Sequence, residues 1–255
     1  MIQELATFGH NLDSQVHRDQ ELALTHKQKN RWYMLRLEML REIQRFGASS
    51  NGYGEILFNH LKRTARETSG FMTYLGYTTQ SADLVRNAML MHDLGKVHPD
   101  VYSPQDWMTH NRPDKDLKKK RDQHPRLGRE IFEERLQDKA PELGSHPYFS
   151  SVIPTIIQDH HNLAHDSHLM RAIAVIDTYD GDLNNVWPHQ DGQRDAMTEF
   201  RRLLGIDGGR HKYAGKTDKE LVMHYAEYKQ QQGINIRPGQ LRRKLDNVHR
   251  KESPS

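Results

Sequence analysis

The chain has 255 residues, 35% hydrophobic and 28% charged, which suits one large domain or one domain with helical additions at its ends. A net charge of +3 excludes a general attraction to polyanions, and the absence of cysteine excludes disulfides, Cys-ligated zinc and iron–sulfur clusters. No window is apolar for the length of a membrane span and the N-terminus lacks a basic-then-apolar leader, so a cytoplasmic protein without a membrane or nucleic-acid partner is expected.

Helical periodicity dominates and strand alternation is nearly absent, which predicts an all-α fold. The first helix is predicted over residues 28–46, where Trp32, Leu35, Met39 and Ile43 recur at helical spacing. Gly, Ser and Asn at 47–54 break that pattern. Residues 1–48 are therefore predicted as an N-terminal helical extension and 49–230 as the main domain. Further helices are predicted at 55–69, 81–92, 125–139, 154–161, 169–179, 193–204 and 218–231. Residues 98–123 are polar, basic and proline-containing and are predicted as a long loop. Residues 231–255 read as a polar, basic tail. The local charge surplus at 115–121 and in the tail is read as solvated surface.

The 17 histidines are the outlying figure, because imidazole is the commonest metal ligand. Position has to decide their role. His60 lies within the apolar stripe of Ile56, Leu57, Leu61 and Ala65, and His92 and Asp93 continue that of Val85, Ala88 and Met89. His160 and His161 continue Ile153, Ile156 and Ile157. Asp177 continues Leu169, Ile173 and Ile176, with Asp180 one turn further. Residues three and four apart share a helix face, so these groups point inward with the core. A lone histidine on such a stripe is more often a hydrogen-bonded core residue than a ligand, and His60 by itself reads that way. An unpaired carboxylate buried in apolar surroundings costs several kcal/mol, however, and a divalent cation accepts neutral imidazole and carboxylate oxygen together. His124 joins by another route: Pro125 after it suits the first turn of a helix, which puts His124 at that helix's mouth. The remaining histidines default to the surface, with His98, His165 and His168 near the presumed site in sequence.

The order His60, His92, Asp93, His124, His160, His161, Asp177 resembles the HD-domain metal-dependent phosphohydrolase superfamily. Within it, the sequence is most similar to the HD-GYP subgroup, whose members hydrolyse cyclic di-GMP. The signature is His92-Asp93-Leu94-Gly95-Lys96; Pro99-Asp100, His124-Pro125 with Gly128, and the run from Arg171 to Asp177 also match. The likeness covers roughly residues 55–228. It implies an HD-like helical bundle with a dinuclear metal site between helices. His60, His92, Asp93 and Asp177 would hold one ion and His124, His160 and His161 the second, with Asp93 bridging. A third ion in some relatives uses a glutamate one turn before the first histidine; here Ile56 stands there, so two divalent ions, iron or manganese, are expected. Two positions depart from the pattern. Asn162 replaces the glutamate after the paired histidines, and Asn162-Leu163-Ala164-His165-Asp166 stands in place of the Gly-Tyr-Pro loop.

Two metals sharing a water lower its pKa towards about 7, which supplies hydroxide for in-line attack on phosphorus. Asp93 and Lys96 are the expected catalytic residues, Asp93 as bridge and proton acceptor and Lys96 as a cation for the phosphoryl group. Lys96 as a solvated helix-end lysine is the competing reading. The leading expectation is a phosphodiesterase or phosphohydrolase acting on a nucleotide, with cyclic di-GMP among its candidates. A di-iron oxygenase and a non-catalytic nucleotide-binding signalling module are the alternatives.

Overall fold

The computed structural model describes residues 23–48, 53–101, 115–184, 195–206 and 217–252, whose regular structure is all helical, with no strand among them. The helices are α1 (His26–Ala48), α2 (Tyr53–Tyr74), α3 (Thr79–Met89), α4 (Lys115–Arg121) and α5 (His124–Lys139). They continue as α6 (Ile153–Asp159), α7 (His168–Asn184), α8 (Ala196–Leu203), α9 (Lys219–Gln231) and α10 (Pro238–Glu252). No helix among the described residues is long and apolar enough to cross a membrane.

Local chemistry sets the boundaries. α1 opens with a reciprocal cap, in which Gln28 N–H donates to Thr25 Oγ1 (3.3 Å) and Thr25 N–H to Gln28 Oε1 (2.9 Å). α2 ends where Gly76 takes φ 92°, letting Tyr77 N–H reach back to Met72 O (3.0 Å) and Gly76 N–H to Thr73 O (3.1 Å). Thr78 then caps α3 through Ser81 N–H, while Asp195 and Asp218 cap α8 and α9.

α2 packs against α1, α3, α7 and α9 and so stands at the centre of the bundle. One core joins Trp32, Leu35, Met39 and Ile43 of α1 to Leu57 and Leu61 of α2, Val85 of α3, Phe132 of α5 and Ile156 of α6. A second core joins Phe71 of α2 to Val175 and Ile176 of α7, Phe200 of α8, Tyr225 of α9 and Leu241 and Leu245 of α10. α7 contributes to both, with Leu169 and Ile173 in the first, which is why it is apolar nearly all round. The polar groups that α7 carries inward, Asp177 and Asp180, therefore lie deep in the molecule.

Three expectations change. α3 stops at Met89, so His92 and Asp93 lie past the helix end on a turn that leads into a 3-10 turn, Leu94–Val97. The predicted loop at 98–123 contains α4, a helix with no buried residue, followed at once by α5; residues 102–114 lie outside the described residues. Within the predicted polar, basic tail, residues 238–252 form helix α10, because Leu241 and Leu245, one turn apart, bury against the second core.

Candidate metal centre

His60 projects from the middle of α2, His92 and Asp93 from the turn after α3, and His124 from the first residue of α5. His160 and His161 follow α6, and Asp177 comes from α7. The fold brings all seven side chains together in two groups: His60, His92 and Asp177, and Asp93, His124, His160 and His161. Within each group the donor atoms lie within 4.8 Å of one another. All are buried except His161, whose side chain keeps 47% of its surface and marks the mouth of the site.

Asp93 stands between the groups. Its Oδ2 is 3.5 Å from Nε2 of His60 and of His92, and its Oδ1 is 3.2 Å from His124 Nε2 and 3.5 Å from His160 Nε2. Asp177 also spans, with Oδ1 at 3.0 Å from His60 Nε2 and 3.2 Å from His92 Nε2, and Oδ2 at 3.0 Å from His161 Nδ1.

The rings are aimed by their other nitrogens. His92 Nδ1–H donates to Met89 O (2.7 Å), His124 Nδ1–H to Arg121 O (2.7 Å) and His160 Nδ1–H to Ile157 O (2.8 Å). Each bond fixes the tautomer that leaves a lone pair on Nε2. Those lone pairs converge: His124 Nε2 is 3.3 Å from His160 Nε2 and 3.2 Å from His161 Nε2. Asp93 Oδ1, buried beside them, satisfies hydrogen-bond geometry with no donor. Neutral lone pairs facing one another and a carboxylate oxygen repel unless a cation lies between them. The separations also suit one ion: a metal–nitrogen bond of about 2.0–2.1 Å puts two ligands at a right or tetrahedral angle about 2.8–3.4 Å apart. The donor set thus fits divalent metal.

Electrostatics agrees. Burial alone would raise the Asp93 carboxyl, yet the Lys96 ammonium at 2.5 Å and the His92 ring hold it well below the usual carboxylate range. Burial likewise opposes ionisation of Asp177, and hydrogen bonds from His161 and His60 are the largest of the effects that overcome it. Burial pushes His124 down, the direction that favours the neutral imidazole a metal needs. His60 goes the other way. Burial disfavours its charge, but the hydrogen bonds to Asp177 and Asp180 prevail and raise its pKa to about 9. In the metal-free protein His60 therefore stabilises the fold fully below its ordinary value of 6.5 and progressively less as pH rises through about 9. Thermal melts in chelator should show that alkaline decline, and it should vanish in His60→Gln; an equal decline in the variant would refute the assignment.

One pair of residues in the site escaped the sequence reading as site residues. His60 Nδ1–H donates to Asp180 Oδ2 (2.7 Å), and Arg63 grips the same carboxylate with Nε (2.8 Å) and Nη2 (2.9 Å). Asp180 thereby orients the ring as outer carboxylates do for metal-bound histidines. The signal was present: Asp180 lies one turn after Asp177, and Arg63 one turn after His60. Asp180→Asn keeps the shape and removes the charge, so metal affinity should fall about 10–100-fold with little change in the fold. Titration calorimetry checks this, and unchanged affinity would remove Asp180 from the site. His98, His165 and His168 belong to neither group. His98 Nδ1 accepts from Asp100 N–H, and His165 Nδ1 from Ser167 N–H.

Residues 57–182, the segment that supplies all seven of these side chains, match the family model of the HD domain. The match spans just under half of the chain, and it is this segment that is similar to an HD domain. The buried His and Asp groups of this segment are of the kind that could hold metal. Comparisons with curated proteins and with solved structures found no match. After the paired histidines the chain makes a tight turn. Asn162 N–H donates to Asp159 O (2.8 Å), and Asn162 Oδ1 accepts from Ala164 N–H (3.2 Å), which commits its side chain to the loop.

Proposed function

We propose that this HD domain holds two divalent ions, iron or manganese, and hydrolyses a phosphate ester of a nucleotide, with cyclic di-GMP the first substrate to test. The observation that carries the reading is Asp93, whose two oxygens face two separate groups of imidazole nitrogens. His60, His92 and Asp177 would hold one ion, His124, His160 and His161 the other, and Asp93 both. When bound, such a pair supplies Lewis acidity and a hydroxide nucleophile at neutral pH.

The chain's own residues do the rest. The main-chain carbonyls of Met89, Arg121 and Ile157 keep three rings in their metal-ready tautomers. Asp180 and Arg63 hold His60 in place. Lys96 Nζ, 14% exposed at the edge of the ligand set, keeps Asp93 ionised and brings a cation to where a phosphoryl oxygen would enter. His161, the open ligand, sets the direction of that entry.

The test is turnover by the metal-loaded protein. Loaded with manganese or with iron under anaerobic conditions, it should cleave bis(p-nitrophenyl) phosphate and lose that activity to chelator. Cyclic di-GMP should be linearised in the same preparation. Oxygen-dependent turnover without ester cleavage would replace this reading with the oxygenase, and nucleotide binding without turnover in any metal would replace it with the signalling module.

A further inference from the structure

α1, the two residues Ala23 and Leu24 before it and α3 line an open pocket of about 710 Å³, within the range of small-molecule sites. Its lining includes Lys29, Trp32 and Arg36 of α1 and Asp83 and Asn87 of α3, none of which belongs to the metal centre. Arg36 is half-buried; its guanidinium donates to Asn87 Oδ1 and lies 5.7 Å from the centre of the Tyr33 ring. Among the described residues no carboxylate pairs with Arg36 or with Lys29. The acid on the lining, Asp83, faces Arg86 at 3.4 Å. Burial pulls the Arg36 pKa down, and neighbouring Arg86 adds like charge. Trp32, only 4% exposed, packs edge-on against Phe132, Tyr148 and Phe149, and its Nε1–H is buried without an acceptor.

A half-buried guanidinium with no carboxylate partner is costly, and an orphaned buried N–H adds to that cost. Both deficits are of one kind: donors and positive charge lacking an anionic acceptor. A planar guanidinium with spare N–H groups matches a phosphate better than any neutral ligand, and Lys29 offers a second, mobile cation to a dianion. Tyr33, 53% exposed beside Arg36, leaves an aromatic face for the rest of such a molecule.

We propose that this pocket binds a small phosphate-bearing anion, held by Arg36 and Lys29, at a site separate from the metal centre. The test uses the full-length, metal-free protein and inorganic pyrophosphate, read by the Trp32 indole N–H resonance, which Trp32→Phe assigns. The resonance should move saturably. Arg36→Gln should weaken binding by about tenfold or more, the loss of one charge-assisted contact. Lys29→Ala should weaken it less, and Lys96→Ala, at the metal centre, should leave it unchanged. A parallel titration with malonate should give the weaker response. Absence of any shift, a shift that survives Arg36→Gln in a protein with unchanged melting temperature, or one lost in Lys96→Ala would overturn the site. Tighter binding of malonate would overturn its assignment to phosphate.

Discussion

Asp93→Ala should empty both halves of the metal centre at once. Four imidazoles approach this one carboxylate, two at each oxygen, so its loss removes a ligand from both groups. Loss of an outer partner costs about 10–100-fold in affinity or activity, and loss of a shared direct ligand should exceed that range on both counts. The metal-free protein should also weaken. Asp93 is wholly buried and held ionised beside Lys96, and breaking a buried pair by removing one member costs about 3–5 kcal/mol. Asp93→Asn keeps the volume and loses the charge, so it separates the cavity left by truncation from the loss of the shared carboxylate. Elemental analysis of both variants should find less than one ion per chain. Two ions retained in Asp93→Asn, with the fold intact, would show that Asp93 bridges nothing.

Such convergence is only half visible in a sequence. Periodicity shows which face a side chain takes, and on that ground His60, Asp177 and Asp180 were legible as inward groups on helices that do form. It does not show which inward groups meet. His60 and Asp177 are hydrogen-bonded across the bundle only because α2 packs on α7, a fact of tertiary packing. His92 and Asp93 were placed on the right face for the wrong reason, since the helix has already ended and the turn after Met89 aims them. α10 was missed because two leucines among many charged residues make a thin apolar stripe, which is buried nonetheless by a core that needed only those two. α4 has no buried residue, so no burial pattern could have announced it.

Gly95→Ala should be the most damaging small substitution outside the ligands themselves. The 3-10 turn after Asp93 lies directly on the start of α5. A β-carbon at Gly95 would overlap the His124 carbonyl oxygen and come within 2.6 Å of the Gly128 nitrogen. These neighbours are backbone, so no side chain can swing aside to make room. Gly128 mirrors the contact, its own β-position lying 2.8 Å from the Gly95 nitrogen. The two glycines thus set how closely the turn bearing Asp93 approaches the helix bearing His124, whose Nε2 sits 3.2 Å from Asp93 Oδ1. Overpacking in a filled interior costs about 1–3 kcal/mol, and a clash with main chain belongs at the top of that range or beyond. For a domain of this size, about 3 kcal/mol lowers the melting temperature by roughly 6–12 °C. On the proposed two-ion reading, the same displacement should release the ion that His124, His160 and His161 would hold before the other, because only that group has to cross the widened gap. Gly239→Ala serves as the control: its β-position meets nothing within 4 Å, so stability should hold or rise slightly. Equal metal content and melting temperature in Gly95→Ala and the parent protein would show that the close contact of turn and helix is not what positions Asp93 against His124.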